Sequence, residues 1–244
     1  EMGLLARDFN HLAQTLGANE RARRQLMADI SHELRTPLAI LRAELEALQD
    51  GIRRPTESNL RALSQQTAQL GKLIDDVYDL SLTDVGALAY RRTPLDVSVV
   101  LLTAVEGLMG RFDVRGISIS AAPMHAGLVE ADERRLQQLF TNILENTLSY
   151  TDTGGTARIR CEAKGDMLCV TFDDSGPGVA SDQMERLFER FYRADGARAR
   201  SSGGSGLGLA ICRNIVQAHG GDIHAETSDL GGLRIVMQLP RCDQ

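Results

Sequence analysis

His32, Glu33, Arg35 and Thr36 put an imidazole, a carboxylate, a guanidinium and a hydroxyl within about a turn and a half of helix. Around them, apolar residues recur at Leu26, Ile30, Leu34, Leu38, Leu41, Leu45 and Leu48, in steps of four and three that mark one face of an amphipathic or coiled-coil helix. His32 lies midway between Ile30 and Leu34, so its side chain is rotated about 200° from either and points toward solvent. An exposed, uncharged imidazole beside an acid is a usable nucleophile at neutral pH. Pro37 has no amide hydrogen to give the carbonyl of Glu33 and loosens the helix just beyond. On this window alone, a solvated face carrying an incidental histidine reads equally well.

Three more stretches carry chemistry. In the amphipathic segment Glu133 to Tyr150 the apolar face is Leu136, Leu139, Phe140, Ile143, Leu144 and Leu148, and Asn142, Asn146 and Tyr150 form a polar stripe along its edge. Amide oxygens are hard neutral ligands suited to Mg²⁺, and amide NH₂ groups can donate to phosphate oxygens. Asp174-Ser175-Gly176-Pro177-Gly178 closes a strand pattern. A carboxylate there accepts hydrogen bonds, as from the exocyclic amine of adenine, and glycines let the backbone approach a flat base. Gly203-Gly204-Ser205-Gly206-Leu207-Gly208-Leu209 opens a helix, so free amides and a positive dipole end make a phosphate cradle. It follows no strand directly and holds no Lys-Ser or Lys-Thr pair, which disfavours a dinucleotide fingerprint or a P-loop. Each stretch also has a plain reading: asparagines at a solvent boundary, a Gly-Pro turn, a glycine-rich linker.

The elements that must position these groups follow from length and pattern. With 244 residues and 43% hydrophobic content, the chain can form two compact units. Aromatic residues are 4% and Trp is absent, which suits aliphatic helix packing rather than base stacking. A net charge of −6, from 27 basic and 33 acidic residues, excludes a general affinity for nucleic acid or anionic membrane. Cys161, Cys169, Cys212 and Cys242 show neither metal-site spacing nor the density of a secreted scaffold, and read as reduced thiols in a cytosolic setting. No window approaches the roughly 18–20 apolar residues that cross a bilayer, and no signal peptide is present. The sequence opens at Glu1 inside a running helical pattern, so it reads as a fragment.

Leu5, Phe9, Leu12 and Leu16 give a short coiled-coil pattern over residues 1–18, with a phase break expected at Gly17, Ala18 and Asn19. The helix carrying His32 should end near Asp50-Gly51, and Pro55-Thr56 restarts the chain. Leu60, Leu63, Thr67, Leu70, Ile74 and Val77 continue the heptad phase. Two helices joined by a short turn make a hairpin, and one hairpin cannot hide both apolar seams. Two copies can, as a four-helix bundle, so a homodimer through residues 20 to 82 is expected. Periodicity is lost at Asp84-Val85-Gly86, the expected domain boundary. Beyond it the pattern reads as a strand at Leu88 to Arg92, a helix from Pro94-Leu95-Asp96 to about Met109, and strands at Ile117 to Ala121 and Leu128 to Ala131. The helix Glu133 to Tyr150 follows, then a hairpin of Thr156 to Glu162 and Leu168 to Asp173 around Lys164-Gly165-Asp166. A helical piece at Gln183 to Tyr192, a helix from Leu207 to His219, and strands Asp222 to Thr227 and Leu233 to Leu239 complete an α/β sandwich. The fold class is thus α+β multidomain.

In their order and spacing these motifs resemble the sensor histidine kinases of bacterial two-component systems, over nearly the whole chain. Ser31 to Leu38 looks like that family's H box, Asn142 to Asn146 its N box, Asp174 to Gly178 its G1 box, Leu187-Phe188-Glu189-Arg190-Phe191-Tyr192 its F box, and Gly204 to Gly208 its G2 box. Residues 1–18 resemble the last helix of a HAMP relay. The run from His32 to Gly51 and Asp84 to Tyr90 are similar to the BaeS-type group of envelope-stress sensors. The resemblance implies a dimerising, phosphoaccepting hairpin over 19–84 and an ATP-binding domain over 85–244, of the fold shared with gyrase-type ATPases. It implies that His32 is the phosphoacceptor, Glu33 the neighbouring base, and Thr36 the hydroxyl that positions water when the phosphorylated partner is hydrolysed. Asn146 would bind Mg²⁺, Asn142 would support the phosphates with Tyr150 beside them, and Asp174 would hold adenine N6 between Gly176 and Gly178. Tyr192 and Arg193 would lie near the phosphates, and Gly204, Gly206, Leu207 and Gly208 would close over ATP. Ser149 departs from the Lys or Arg many members carry, and Ser205 replaces a frequent Thr.

The implied activity is transfer of the γ-phosphoryl group of Mg-ATP to His32 and on to an aspartate of a separate response regulator. In such proteins this region is the cytoplasmic portion of an inner-membrane protein, joined to the membrane by segments outside this chain. Because nucleotide and His32 fall in different domains, the segment around Leu82 to Gly86 is expected to flex. Two readings from other classes stand beside it. A gyrase- or MutL-like ATP clamp shares the nucleotide fold but lacks an H-box hairpin. A dimeric scaffold or phosphatase with a degenerate nucleotide site would bind ATP without labelling His32.

Overall fold

The structure, a computed structural model, describes residues 2–84, 90–121, 127–194 and 204–242, with side chains of the first helix described chiefly from Met27 onward. The chain divides into two compact units, Glu1–Val77 and Tyr78–Gln244. In the first, α1 (Met2–Gln49) and α2 (Glu57–Asp84, whose last two turns belong to the second unit) form the expected hairpin. Gly51 takes the left-handed conformation (φ 69°) that ends α1, and Thr56 Oγ1 caps α2 by accepting from the Asn59 amide at 3.3 Å. One helix runs through Gly17, Ala18 and Asn19 without interruption, and the apolar phase expected to break there is carried by side chains outside those described. An interior glycine costs only about 1 kcal/mol relative to alanine, little against a cooperative helix of this length. The Leu5, Phe9, Leu12 and Leu16 seam lies in side chains outside those described.

The second unit is a sheet with helices on one face. It comprises β1 (Thr93–Asp96), α3 (Val97–Val114), β2 (Ser118–Ala121), β3 (Leu128–Ala131), α4 (Glu133–Tyr150), β4 (Thr156–Lys164), β5 (Met167–Asp174), α5 (Gly208–Ala218), β6 (Asp222–Thr227) and β7 (Leu233–Pro240). The main sheet has the order β2-β4-β5-β7-β6, parallel only between β2 and β4, while β1 and β3 form a separate antiparallel pair. Alternation along β5 places Leu168, Val170, Phe172 and Asp174 on the helix-covered face, and Phe172 meets Phe140 of α4 with ring centroids 6.0 Å apart. All six apolar residues of α4 named from the sequence are buried.

Three local readings are corrected. Pro94-Leu95-Asp96 lies in β1 rather than opening a helix; Asp96 caps α3 by accepting from the Ser98 amide at 2.8 Å, and the helix runs on to Val114. The strand expected at Leu88 to Arg92 begins instead at Thr93; Leu88 and Ala89 lie outside the described residues. Proline sits at this edge because a two-stranded ladder leaves one side of each strand unpaired. Gln183 to Tyr192 is not one helix but two 3₁₀ turns, Ser181–Gln183 and Glu185–Phe188, after which Glu189 turns extended and Phe191 adopts φ 59°. The division into compact units falls inside α2, between Val77 and Tyr78.

Candidate nucleotide and phosphoacceptor sites

In the first unit His32 is exposed on α1, with Glu33 half-buried beside it and Thr36 exposed one turn on. Thr36 Oγ1 donates to the His32 carbonyl at 3.5 Å, and Pro37 sits within the helix, where it gives no amide to Glu33. The imidazole is therefore free of packing, as its rotation from the apolar seam requires.

In the second unit three separated stretches converge. Asp174 is 5% exposed at the end of β5, and its Oδ1 accepts from the Gly176 amide at 2.9 Å and the Leu233 amide at 3.1 Å. Both donors reach the same oxygen, so Oδ2 keeps its acceptor capacity for a ligand amine. Burial raises the Asp174 pKa above the usual carboxylate range, the two amides pull against it, and Asp173 adds to the rise. Asp173, one residue earlier, points to the opposite face of the sheet, where Arg234, Arg160 and Ser228 bind it. A Cβ on Gly176 would stand 2.8 Å from the Tyr150 carbonyl, so the Asp174 turn lies directly against the end of α4. Gly178 holds a left-handed φ of 71° in that turn.

On α4, Asn142 is 7% exposed and its Nδ2 has no hydrogen-bond partner among the described residues; Asn146 and Tyr150 are half-buried. Ser149 spends its hydroxyl on the Glu145 carbonyl at 2.7 Å. A Cβ on Gly208, the first residue of α5, would come within 3.8 Å of Asn142 Cβ, which sets the glycine-rich turn over the first asparagine. Leu207 is fully buried and its amide donates to Ser205 Oγ at 3.3 Å; Gly204 is exposed, and Gly203 lies outside the described residues. Gly206 (φ 71°) accepts through its carbonyl from the Phe191 amide at 2.9 Å, joining the glycine turn to the Phe-Tyr-Arg segment. There Arg186 stacks 4.3 Å over Tyr192, Arg213 of α5 stacks 4.5 Å over Phe188, and Arg193 buries Nε and Nη2 without a partner among the described residues.

These groups fit a nucleotide with a hard cation. Buried donors without partners, one amide and one guanidinium, are costly unless an anion receives them. Among the described residues no cluster of three His, Cys, Asp or Glu could hold a metal, and the half-buried Asn146 offers a hard neutral amide oxygen on the same stripe as Asn142. A groove of about 320 Å³ on the open face of the sheet, lined in part by Arg160, Thr171, His224 and Arg234, is separate from these groups. Arg160 and Arg234 there pair with Asp173, and His224 Nε2 lies 3.2 Å from Glu226 Oε1.

Sequence reasoning missed Gly232, where a Cβ would fall 2.1 Å from Asp174 Oδ1 and 2.5 Å from the Gly176 nitrogen. The paired glycines ahead of β7 were the available signal. It also missed Arg135 and Gln138, whose place on the Asn142 stripe was legible, and their partner Asp79, which was not.

Residues 22–86 match the His Kinase A (phospho-acceptor) domain, and residues 131–243 match the histidine kinase-, DNA gyrase B-, and HSP90-like ATPase family. The chain belongs to the sensor histidine kinases. It is 51% identical over 240 residues to the signal transduction histidine-protein kinase BaeS of Escherichia coli K12, covering 98% of this chain and 51% of that protein, so it spans about half the length of this relative. The Acinetobacter baumannii histidine kinase AdeS superposes with a TM-score of 0.74 at 25% identity, over 87% of this chain and 98% of AdeS. Full-length ShkA, solved in complex with AMPPNP, superposes with a TM-score of 0.62 at 28% identity, over 91% of this chain and 46% of ShkA. The helical hairpin followed by an α/β ATPase domain is the architecture these proteins share.

Proposed function

We propose that this chain autophosphorylates His32 from Mg-ATP and passes the phosphoryl group to an aspartate of a separate response regulator. The observation that carries the reading is the pairing, in one chain, of an unpacked His32 with a second unit whose Asp174, Asn142 and Arg193 present unused acceptor and donor capacity around glycine turns. Asp174 Oδ2 would accept from the adenine amine, with Gly176, Gly178 and Gly232 admitting the base. Asn142 Nδ2, Arg193 and the amides opening α5 would receive the phosphates, while Tyr150, Tyr192, Gly204, Gly206, Leu207 and Gly208 wall the site. Mg²⁺, when bound through Asn146, would neutralise charge on the phosphates. A nitrogen of His32 forms a bond to the γ-phosphorus, the bond from that phosphorus to the ADP oxygen breaks, and the imidazole proton passes to Glu33. Transfer onward exchanges the N–P bond for an acyl phosphate on the regulator's aspartate.

Several parts of the assembly belong to the same proposal. In one hairpin, Ile30, Leu34, Leu41, Leu63 and Leu70 are at least half-buried, but Leu38, Leu45, Leu60 and Ile74 remain exposed. A second copy would cover that half of the seam, giving the four-helix homodimer. Residues 1–18 are assigned to a relay helix, 19–84 to the phosphoacceptor domain and 85–244 to the ATP-binding domain. Thr36, exposed beside His32, would orient water for dephosphorylation of the regulator. Among the described residues no helix is long and apolar enough to cross a membrane; attachment to the bacterial inner membrane would come from further segments, with this region on the cytoplasmic side.

One observation favours the scaffold reading: Ser149 gives its hydroxyl to its own helix, so it supplies no positive group to the phosphates. Arg193 supplies a guanidinium instead. Incubation of the chain with γ-labelled ATP decides between them. Acid-labile, alkali-stable label that disappears in His32→Gln supports the kinase; ATP binding without label supports the scaffold.

A further inference from the structure

The tail of α2 is built into the second unit by a polar clasp and an apolar seat. Asp79 Oδ2 accepts from Arg135 Nη1 at 2.6 Å and from Gln138 Nε2 at 3.0 Å, while Arg135 Nη1 also donates to Gln138 Oε1 at 2.9 Å. The ion pair is well shielded, with side-chain exposures of 15% for Arg135 and 21% for Asp79. Burial alone would raise the Asp79 pKa, but hydrogen bonds from Arg135 and Gln138 and the Arg135 charge outweigh it and lower it, so the carboxylate is ionised at neutral pH. The next residue, Leu80, is 1% exposed and shares a void of only about 10 Å³ with Ile211, Asn214 and Ile215 of α5.

Where these contacts land matters. Arg135 and Gln138 continue the stripe of Asn142 and Asn146 on α4, at steps of three, four and four, so clasp and nucleotide amides occupy one helix face. Helix α5 starts at Gly208, over Asn142. The α2 tail therefore grips both helices that frame the nucleotide site, from the end opposite the ligand.

We infer that Asp79 is a positioning residue for phosphoryl transfer: through Arg135 and Gln138 it makes the α2 tail and the nucleotide-binding helices one body. The inference rests on the kinase reading. Motion that brings nucleotide to His32 then bends α2 ahead of Tyr78, where the compact units divide; of the segment expected to flex, Val85 and Gly86 lie outside the described residues. Loss of the clasp leaves ATP binding intact and uncouples the site from the phosphoacceptor hairpin.

The test uses the full chain. AMPPNP affinity is measured by calorimetry, and the rate of acid-labile labelling of His32 is measured at saturating ATP for Asp79→Asn, Asp79→Arg, Arg135→Asp and the double exchange. Each single variant should bind AMPPNP as wild type does yet label roughly 5- to 100-fold more slowly, the usual span of a coupling between sites. The double exchange, which restores opposite charges, should recover most of the rate. Retained AMPPNP affinity with recovery on exchange also shows that the slow variants are folded. Labelling at or above the wild-type rate in Asp79→Asn overturns the inference, as does slowing matched by lost AMPPNP affinity with no recovery in the double exchange. A wild-type chain that takes no label removes the kinase reading and this inference with it; a labelled wild type and an equally fast Asp79→Asn remove this inference alone.

Discussion

Gly232→Ala probes the adenine side of the site with a single carbon atom. The new Cβ would lie 2.1 Å from Asp174 Oδ1, 2.5 Å from the Gly176 nitrogen and 2.6 Å from the Asp174 carbonyl oxygen, where ordinary contact begins at 3.4 Å. None of these atoms is the free end of a flexible side chain. Two are backbone, and Oδ1 is pinned by the amides of Gly176 and Leu233 at 2.9 and 3.1 Å. Relief requires moving the start of β7 away from β5, at the Gly232 amide that donates to the Asp174 carbonyl at 3.1 Å. Overpacking of this kind costs about 1–3 kcal/mol. Pulling an amide from a buried carboxylate adds about 1–3 kcal/mol more. If about 2–4 kcal/mol of that total falls on the ligand-competent arrangement, AMPPNP binds roughly 30- to 700-fold more weakly. Calorimetric titration of the folded full chain measures this, and Gly231→Ala is the control. Gly231 has φ 97° and nothing within 4 Å of its Cβ, so alanine there strains the backbone without touching Asp174. A folded Gly232→Ala chain whose Kd stays within about threefold of wild type, under ~1 kcal/mol, refutes the packing argument.

Arg193→Gln should weaken ATP more than adenosine while leaving the urea midpoint equal or higher, because the lost guanidinium has buried nitrogens without partners; equal loss for both ligands would deny it a phosphate role. Gly206→Ala combines a left-handed φ of 71° with a Cβ 2.8 Å from Phe191 Cα. The two effects cost about 1–2 and 1–3 kcal/mol, so labelling of His32 should collapse while circular dichroism is kept. His219 donates through Nδ1 to the Ile215 carbonyl at 2.7 Å and accepts through Nε2 from the Asp132 amide at 3.0 Å, a pattern only the neutral ring can make. Burial lowers its pKa below 6.5, aided by Arg92 and opposed by the Ile215 carbonyl and Asp132. The unfolded chain therefore takes up this proton first. Its contribution to stability is complete above about pH 6.5 and is lost as pH falls toward the depressed folded value, by at most about 1.4 kcal/mol per pH unit. Urea unfolding at pH 7.5 and 5.5 should show the loss, and His219→Gln should flatten it; an unchanged difference in that variant counts against the assignment.

What could be read without coordinates was whatever a short window encodes. The 3.6-residue period of Leu136, Leu139, Phe140, Ile143, Leu144 and Leu148 defined both the buried face of α4 and the edge that holds Asn142 and Asn146. The rotation of His32 from Ile30 and Leu34 defined its exposure. Where windows misled, two local rules competed. Pro94-Leu95-Asp96 carries a helix-opening signature, yet pairing with β3 drew it into a strand and left only the Asp96 capping role. Gly17 weakens a helix, yet flanking turns carried α1 through it. Where one helix was expected over Gln183 to Tyr192, Phe188 ends a 3₁₀ turn and Phe191 is left-handed, its amide bonded to the Gly206 carbonyl.

By itself the sequence determined which face of each helix its polar and apolar side chains occupy, since turns, caps and periods act within a few residues. Only the tertiary structure decided which of those faces meet. Arg135 and Gln138 of α4 close on Asp79, Leu233 donates to Asp174, and Gly206 holds Phe191, pairings that lie on different elements and leave no mark in any one window. The physical reason is that side-chain periodicity is fixed by backbone geometry along one element, whereas the approach of two elements is fixed by the close packing of all of them.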